Sequence, residues 1–521
     1  MSDTSIFPIF NSGAGYGIIV GFGGIFAILM SLTTLALKRY FSEVQDSEMY
    51  LTAKRSIKAG LIASSVVSSW TLSATLLTST TFGYSYGIAS TFWYGAGCSV
   101  PILTFAVLAI ELKRKAPNAH TFLELVKHRY GAPGHIVLAV YSLIYQIFIA
   151  VNLLVGGAEV FHLVTGMNKI AVCFLFPLGV CIYTLIGGIK ATFLTEWVHT
   201  VIIYIIMLVS MFVMYATSDH VGSPGRMWEL LKDASEIRPV EGNAGGELLT
   251  TRSFYGGLVG LIFLGGGFSA TVDSQLFQKA IAADPKSTVA GYLLGSLCWF
   301  SIPFCIATTF GLGGAALEHT SLPTYPTPLS AAEINSALVM PYTAYTIMGK
   351  GGVVAVLLMV FQAITSAMSS GAVIPSACTL FWKKQSKYAI VLVPIISSLA
   401  SISTWIGVAY HKHGTVTIAT LSDFIPTVAG NMLALTAPII LTPLITYLKP
   451  ENYDFENFKE LQQVDDSSFD IKAQTEGVAI KNAQERTEAE LINLQGIEKE
   501  LYAARNFALG AALFIAISLT M

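Results

Sequence analysis

Apolar residues run along this chain in blocks of twenty or more, separated by short polar or charged turns. The blocks fall near 16–37, 57–84, 88–110, 135–161, 169–188, 194–217, 254–276, 289–315, 350–382, 388–410 and 423–448. About 20 mostly apolar residues span a bilayer as a helix, and within one segment only a helix satisfies the backbone in lipid. The pattern predicts eleven crossings in an all-α, polytopic membrane protein. A twelfth begins at Phe507 and reaches Met521 after 15 residues. The expected organisation is a transmembrane domain over 1–448, an acidic segment over 449–506 and the start of a truncated final span over 507–521.

Composition agrees. Hydrophobic residues make up 53% and charged residues only 12%, about half the charge that a soluble chain carries. Twenty of the 62 charged residues lie between Lys449 and Arg505, which leaves 42 for all the rest. A soluble enzyme, a nucleic-acid binder and a disordered scaffold are excluded. The six cysteines lie in apolar runs without ligand spacing and read as core residues. Walker, HExxH and GxSxG motifs are absent from the sequence, so neither ATP-driven pumping nor hydrolysis is expected, and no cofactor.

Basic residues set the sense of insertion. Lys38, Arg39, Lys54, Arg55 and Lys58 follow the first block; Lys113, Arg114, Lys115, Lys127 and Arg129 follow the third. Lys190, Lys279, Lys286, Lys383, Lys384 and Lys387 sit at later ends of the same parity. Keeping all of them in the cytoplasm requires an outside N-terminus. Segment 449–506 is then cytoplasmic and reads as a solvated cap or regulatory segment, while loop 218–253 lies outside.

Two crossings are unusual. Nine of the fourteen residues from Ser68 to Thr81 are Ser or Thr, and Ser64, Ser68, Thr71, Thr75 and Thr78 share one helical face. Such a face lines a polar path, or else its hydroxyls bond back to preceding carbonyls and pack against neighbouring helices. In the other, Gly265, Gly266 and Gly267 stand mid-membrane and predict an unwound or kinked segment; the alternative is close helix packing. Two irregular crossings five spans apart match an inverted-repeat transporter, whose midplane site is built from broken helices.

Further polar residues carry two readings each. Glu196 binds a cation or reaches interfacial water. Asp273 is a partner for a helix end or for Lys279, or it serves the site. Glu159 snorkels or hydrogen-bonds; Gln146, Asn152, Gln362 and Asn431 read as glue between helices. His199 reads as a satisfied histidine within the bundle.

The strings GLIASSVVSSWTLSATLLTSTTFGYSYG, AIELKRKAPNAHTFLELV, YTLIGGIKATFLTEWVHTVII, DSQLFQKAIAADPKSTVAGYLLGSLCWFSIP and LFWKKQSKYAIV resemble the solute:sodium symporter family. Within it they are similar to the fungal and plant urea permease branch, whose substrates are urea and, in some members, polyamines. The resemblance implies a leucine-transporter-type five-plus-five inverted repeat, with an extra N-terminal helix and C-terminal helices. It places a cation (H+ or Na+) around Ser68 and Thr71, with Glu196 at the position of an acidic residue that influences a second cation. On the substrate side it implies Trp70, Thr75 and Thr78 together with Asp273, Gln275 and Gln278.

One departure stands out. Where the family's pattern continues through two more crossings, Ser370 here runs directly into GAVIPSACTLFWKKQSK, a gap of about 60 residues at ~20 per crossing. The second repeat is therefore expected to be incomplete, with Ser366, Ser369 and Ser370 as candidate replacements for missing hydroxyls and a tilt or break near Pro375. An incomplete or mis-spliced chain is the expected cause. The function implied is cation-coupled import of urea, or of polyamines as well, at the plasma membrane by alternating access, with a small solute and the lipid bilayer as partners and no nucleic acid. Import of another small polar solute, or a non-transporting product, are the alternatives.

Overall fold

The computed structural model describes residues 8–40, 47–268, 273–322, 325, 328–362, 373–461, 505–507 and 509–510. Ser366, Ser369, Ser370, most of 449–506 and nearly all of 507–521 lie outside these residues. Eight described helices are long and apolar enough to cross a bilayer, nine when one bent pair counts as a single span.

In chain order the main helices are α1 (Ser12–Ala36), α2 (Ala59–Trp70), α3 (Ser73–Tyr86), α4 (Ile88–Lys115), α5 (Phe122–Thr165), α6 (Lys169–Phe212) and α7 (Pro224–Ile237). There follow α8 (Phe254–Phe268), α9 (Ser274–Ala282), α10 (Pro285–Leu317), α11 (Val339–Gln362), α12 (Val373–Phe381), α13 (Lys387–His413) and α14 (Phe424–Leu448). Helix α6 kinks at Gly188, whose φ of 58° suits a residue without Cβ; a Cβ there would also stand 2.7 Å from the Tyr50 carbonyl. Residues 363–372, between α11 and α12, are not described, and Pro375 lies in the first turn of α12.

Small residues set the spacing of the core. A Cβ on Gly291 of α10 would lie 2.6 Å from Ile62 of α2, and one on Gly295 2.9 Å from Val66. Helices α4 and α8 approach as closely, with Gly97 against the Gly260 carbonyl and Gly267 against Pro101. Backbone contact of this kind is how helices associate in lipid, where the hydrophobic effect no longer drives them together. The expected unwinding at Gly265–Gly267 is therefore corrected: all three are helical. Gly265 and Gly267 make room for Asn431 and Pro101.

The outward faces are apolar. Ile25, Ile28 and Leu32 on α1, Phe174 and Leu185 on α6, and Ile440 on α14 are all more than half exposed. Loop 218–253 is a folded lobe in which Ser223 caps α7, and Met227, Leu230, Leu231 and Ala234 bury its inner face.

At the opposite end the basic residues read as insertion signals close the structure. Lys113 donates to the Ile281 carbonyl, Lys115 to that of Leu380, and Arg129 to those of Thr379 and Trp382. Cations thus meet the negative ends of α9 and α12. The start of segment 449–506 is anchored to this end at particular residues. Tyr453 and Glu451 bond through backbone N–H to the carbonyls of Lys383 and Lys384, Phe455 lies under the Lys115 ammonium, and Phe458 is fully buried.

Candidate functional site

The Ser/Thr-rich crossing is broken. Helix α2 ends at Trp70, Thr71 (φ −90°, ψ 85°) and Leu72 (φ −82°, ψ 162°) leave helical geometry, and α3 departs at 62°. The side chains explain why the chain tolerates this. The Thr75 hydroxyl donates to the Trp70 carbonyl at 3.0 Å and accepts the Leu72 N–H at 3.1 Å, so one residue satisfies a group on each side of the gap. Thr71 Oγ1 donates to the Val67 carbonyl at 2.7 Å, and Ser69, Thr80 and Thr81 also bond back one turn. Much of the hydroxyl density therefore serves the backbone. The break leaves the negative end of α2 and the positive end of α3 facing one point inside the protein.

Trp70 is buried, edge-on to Trp299 with ring centroids 6.3 Å apart, beside the position a Gly267 side chain would take. Ser68 is buried on the last turn of α2, and Thr78 is half-buried one turn beyond Thr75. These residues and Thr71 lie on one broken crossing.

Asp273, whose backbone is extended (φ −72°, ψ 109°), stands immediately before α9. Its carboxylate caps α9, accepting the Gln275 N–H at 2.8 Å, and takes hydrogen bonds from Gln146 at 2.8 Å and Tyr145 at 3.3 Å. Asp273 is thus the partner of a helix end. Gln275 is half-buried on the first turn of α9, while Gln278 points away, donating to the Leu51 carbonyl at 2.6 Å.

Glu196 sits on α6 against α2 and is buried. It accepts the Ser65 hydroxyl on one oxygen and, on the other, the Lys279 ammonium at 2.6 Å. Lys279 also donates to the Ser69 hydroxyl and, at 3.2 Å, to the Ser65 carbonyl. One turn along α6, Thr200 donates to the Ser64 carbonyl at 2.9 Å. Reading Lys279 as an exposed cytoplasmic charge is corrected: it turns inward because Glu196 offers a counter-charge. Its setting in LFQKAIAA, where every neighbour except Gln278 is apolar, was the available signal. Elsewhere Glu159 pairs with Lys169, and His199 faces the Phe26 ring at 4.9 Å.

Residues 50–436 match the model of the Sodium:solute symporter family. The chain belongs to that family. Among curated relatives of this symporter, "Probable urea active transporter 1" of Schizosaccharomyces pombe is 41% identical over 519 residues, covering 86% of this chain and 78% of the relative. "Urea active transporter" of Saccharomyces cerevisiae is 40% identical, over 89% and 73%. "Urea-proton symporter DUR3" of Oryza sativa is 34% identical, over 87% and 74%. An aligned length of 519 that covers 86% of 521 residues leaves roughly 70 aligned positions empty in this chain. A solved Na+-coupled sialic acid symporter shares the fold, with a TM-score of 0.55 at 15% identity over 82% of this chain and 98% of that one. The symporter therefore has the leucine-transporter-type architecture expected of its sequence.

Proposed function

We propose that this symporter imports urea across the plasma membrane, driven by an inward cation gradient. The observation that carries the reading is the break at Thr71–Leu72 in the buried Ser/Thr crossing, in a chain about 40% identical to fungal urea transporters over most of its length. Urea is neutral and planar, rich in N–H donors, with one carbonyl acceptor. Backbone carbonyls at the end of α2 and N–H groups at the start of α3 complement both kinds of group.

A neutral solute gains nothing from the membrane potential. Each cation moved inward with it contributes ~2.3 kcal/mol per 100 mV, enough to concentrate the solute. Ser68 and Thr71 supply oxygens near the negative end of α2, where a cation is favoured; Trp70, Thr75, Thr78, Asp273 and Gln275 are the proposed lining of the solute path. Rocking of the bundle about this point alternates access. The end bearing Arg55, Lys58, Lys113, Lys115 and Arg129 faces the cytoplasm, with segment 449–461, and the N-terminus faces outside. The exposed apolar faces of α1, α6 and α14 meet lipid.

The test is uptake of labelled urea by cells that lack urea import of their own. Saturable uptake abolished by an uncoupler supports the reading. Non-saturating, uncoupler-insensitive flux would indicate a channel, and no flux a non-transporting product. Competition by unlabelled polyamines, sugars and amino acids defines the solute range.

A further inference from the structure

We infer that Lys279 is a tethered cation that occupies the coordination position at Glu196, so that no free metal ion binds there. This deepens the cation-coupled reading above and rests on it. Family resemblance pairs Glu196 with a cation, yet the residues present do not suit a free one.

The oxygens that an entering ion would need at Glu196 are its carboxylate, the Ser65 carbonyl and the Ser69 hydroxyl. Lys279 Nζ already reaches all three. An ammonium has three donors and no acceptor, so its capacity is filled, and the second Glu196 oxygen is taken by the Ser65 hydroxyl. Both side chains are buried, at 4% and 10% exposure. The pair is therefore neutral and hydrogen-bonded, the condition under which charges persist away from water.

Asp273 lies close enough to act on Lys279 electrostatically, but its oxygens are engaged elsewhere. Asp273 is held by Gln146, Tyr145 and the Gln275 N–H, and the Tyr292 hydroxyl of α10 donates to the Leu276 carbonyl at 3.0 Å. His199, the other ionisable group on this stretch of α6, lies against Phe26. The pair also stands at depth. Ser65 and Ser69 lie seven and eleven residues beyond Lys58 of the surface pair Lys58–Asp284, ~10.5 and ~16.5 Å along the α2 axis. An ionisable pair at that depth is a functional feature more often than a decorative one.

The test is the melting temperature of purified protein in NaCl against choline chloride, without urea, so that failure of the urea reading leaves it intact. Lys279→Met frees the carboxylate and its neighbours. Na+ is expected to raise the melting temperature of this variant by several degrees more than that of the wild type. The increment should vanish in the Glu196→Gln/Lys279→Met double variant. A folded Lys279→Met protein whose Na+ response equals that of the wild type overturns the inference. Should Lys279→Met be recovered only in NaCl, that rescue supports it. Should it be recovered in neither salt, the wild type is compared with the neutral Glu196→Gln/Lys279→Gln double variant. Equal Na+ responses support the tethered cation; a wild-type response lost in the double variant overturns it.

Discussion

The Thr75 hydroxyl donates to the Trp70 carbonyl at 3.0 Å across the gap that separates α2 from α3. With the Leu72 N–H accepted by the same oxygen, it closes the broken crossing from within. Thr75→Val keeps the shape and removes both bonds, leaving buried polar backbone unpaired at ~1–3 kcal/mol. We expect a lower melting temperature in detergent and reduced uptake, with both restored in Thr75→Ser. An unaltered melting curve for Thr75→Val would show that the break is held by something else.

The contact of α10 with α2 leaves no room for a side chain at Gly291. Gly291→Val should destabilise by ~1–3 kcal/mol through overpacking. Gly257 of α8 has open space around its Cβ position, so Gly257→Ala should leave the melting temperature unchanged or raise it slightly. Differential scanning fluorimetry of the two variants side by side checks the contrast.

Phe458 is fully buried although it follows the last long helix. Phe458→Ala should cost about 3 kcal/mol if that ring is packed as a core residue, and it should release the strap that Tyr453 and Phe455 also anchor. Limited proteolysis within 450–461 is then faster than in the wild type. Equal cleavage rates would contradict the packed strap.

His120, in the turn between α4 and α5, lies 2.6 Å from Glu48 and 3.4 Å from Glu124. Hydrogen bonds to Glu124 and Glu48 raise its pKa from the ordinary 6.5 to about 9. A folded-state value above the unfolded one gives stability that is complete below about pH 6.5 and lost as pH rises through about 9. His120→Gln should therefore melt below the wild type at about pH 6, with the difference narrowing toward about pH 10. A difference independent of pH would mean that the imidazolium contributes nothing there.

Irregular crossings were legible because lipid tolerates neither dense hydroxyls nor clustered glycine without a reason. The reasons themselves differed between the two. In the first, the hydroxyls accompany a true break, and Thr75 repairs it. In the second, Gly265 and Gly267 are helical and serve packing against α14 and α4, and extended backbone is found later, at Asp273. Glycine permits both outcomes, and only the neighbour that approaches it selects one.

Local properties of the chain therefore determined the class of protein, its crossings and the common end of its basic residues. Hydropathy acts through the segment's own contact with lipid, and a helix satisfies its backbone without outside help. Pairings between distant residues were decided by tertiary structure alone. Glu196 and Lys279 are 83 positions apart, and Lys279 stood equally well in sequence as a surface charge or as a partner of Asp273. Which buried charge meets which depends on where α2, α6 and α9 converge, and that is set by the packing of whole helices.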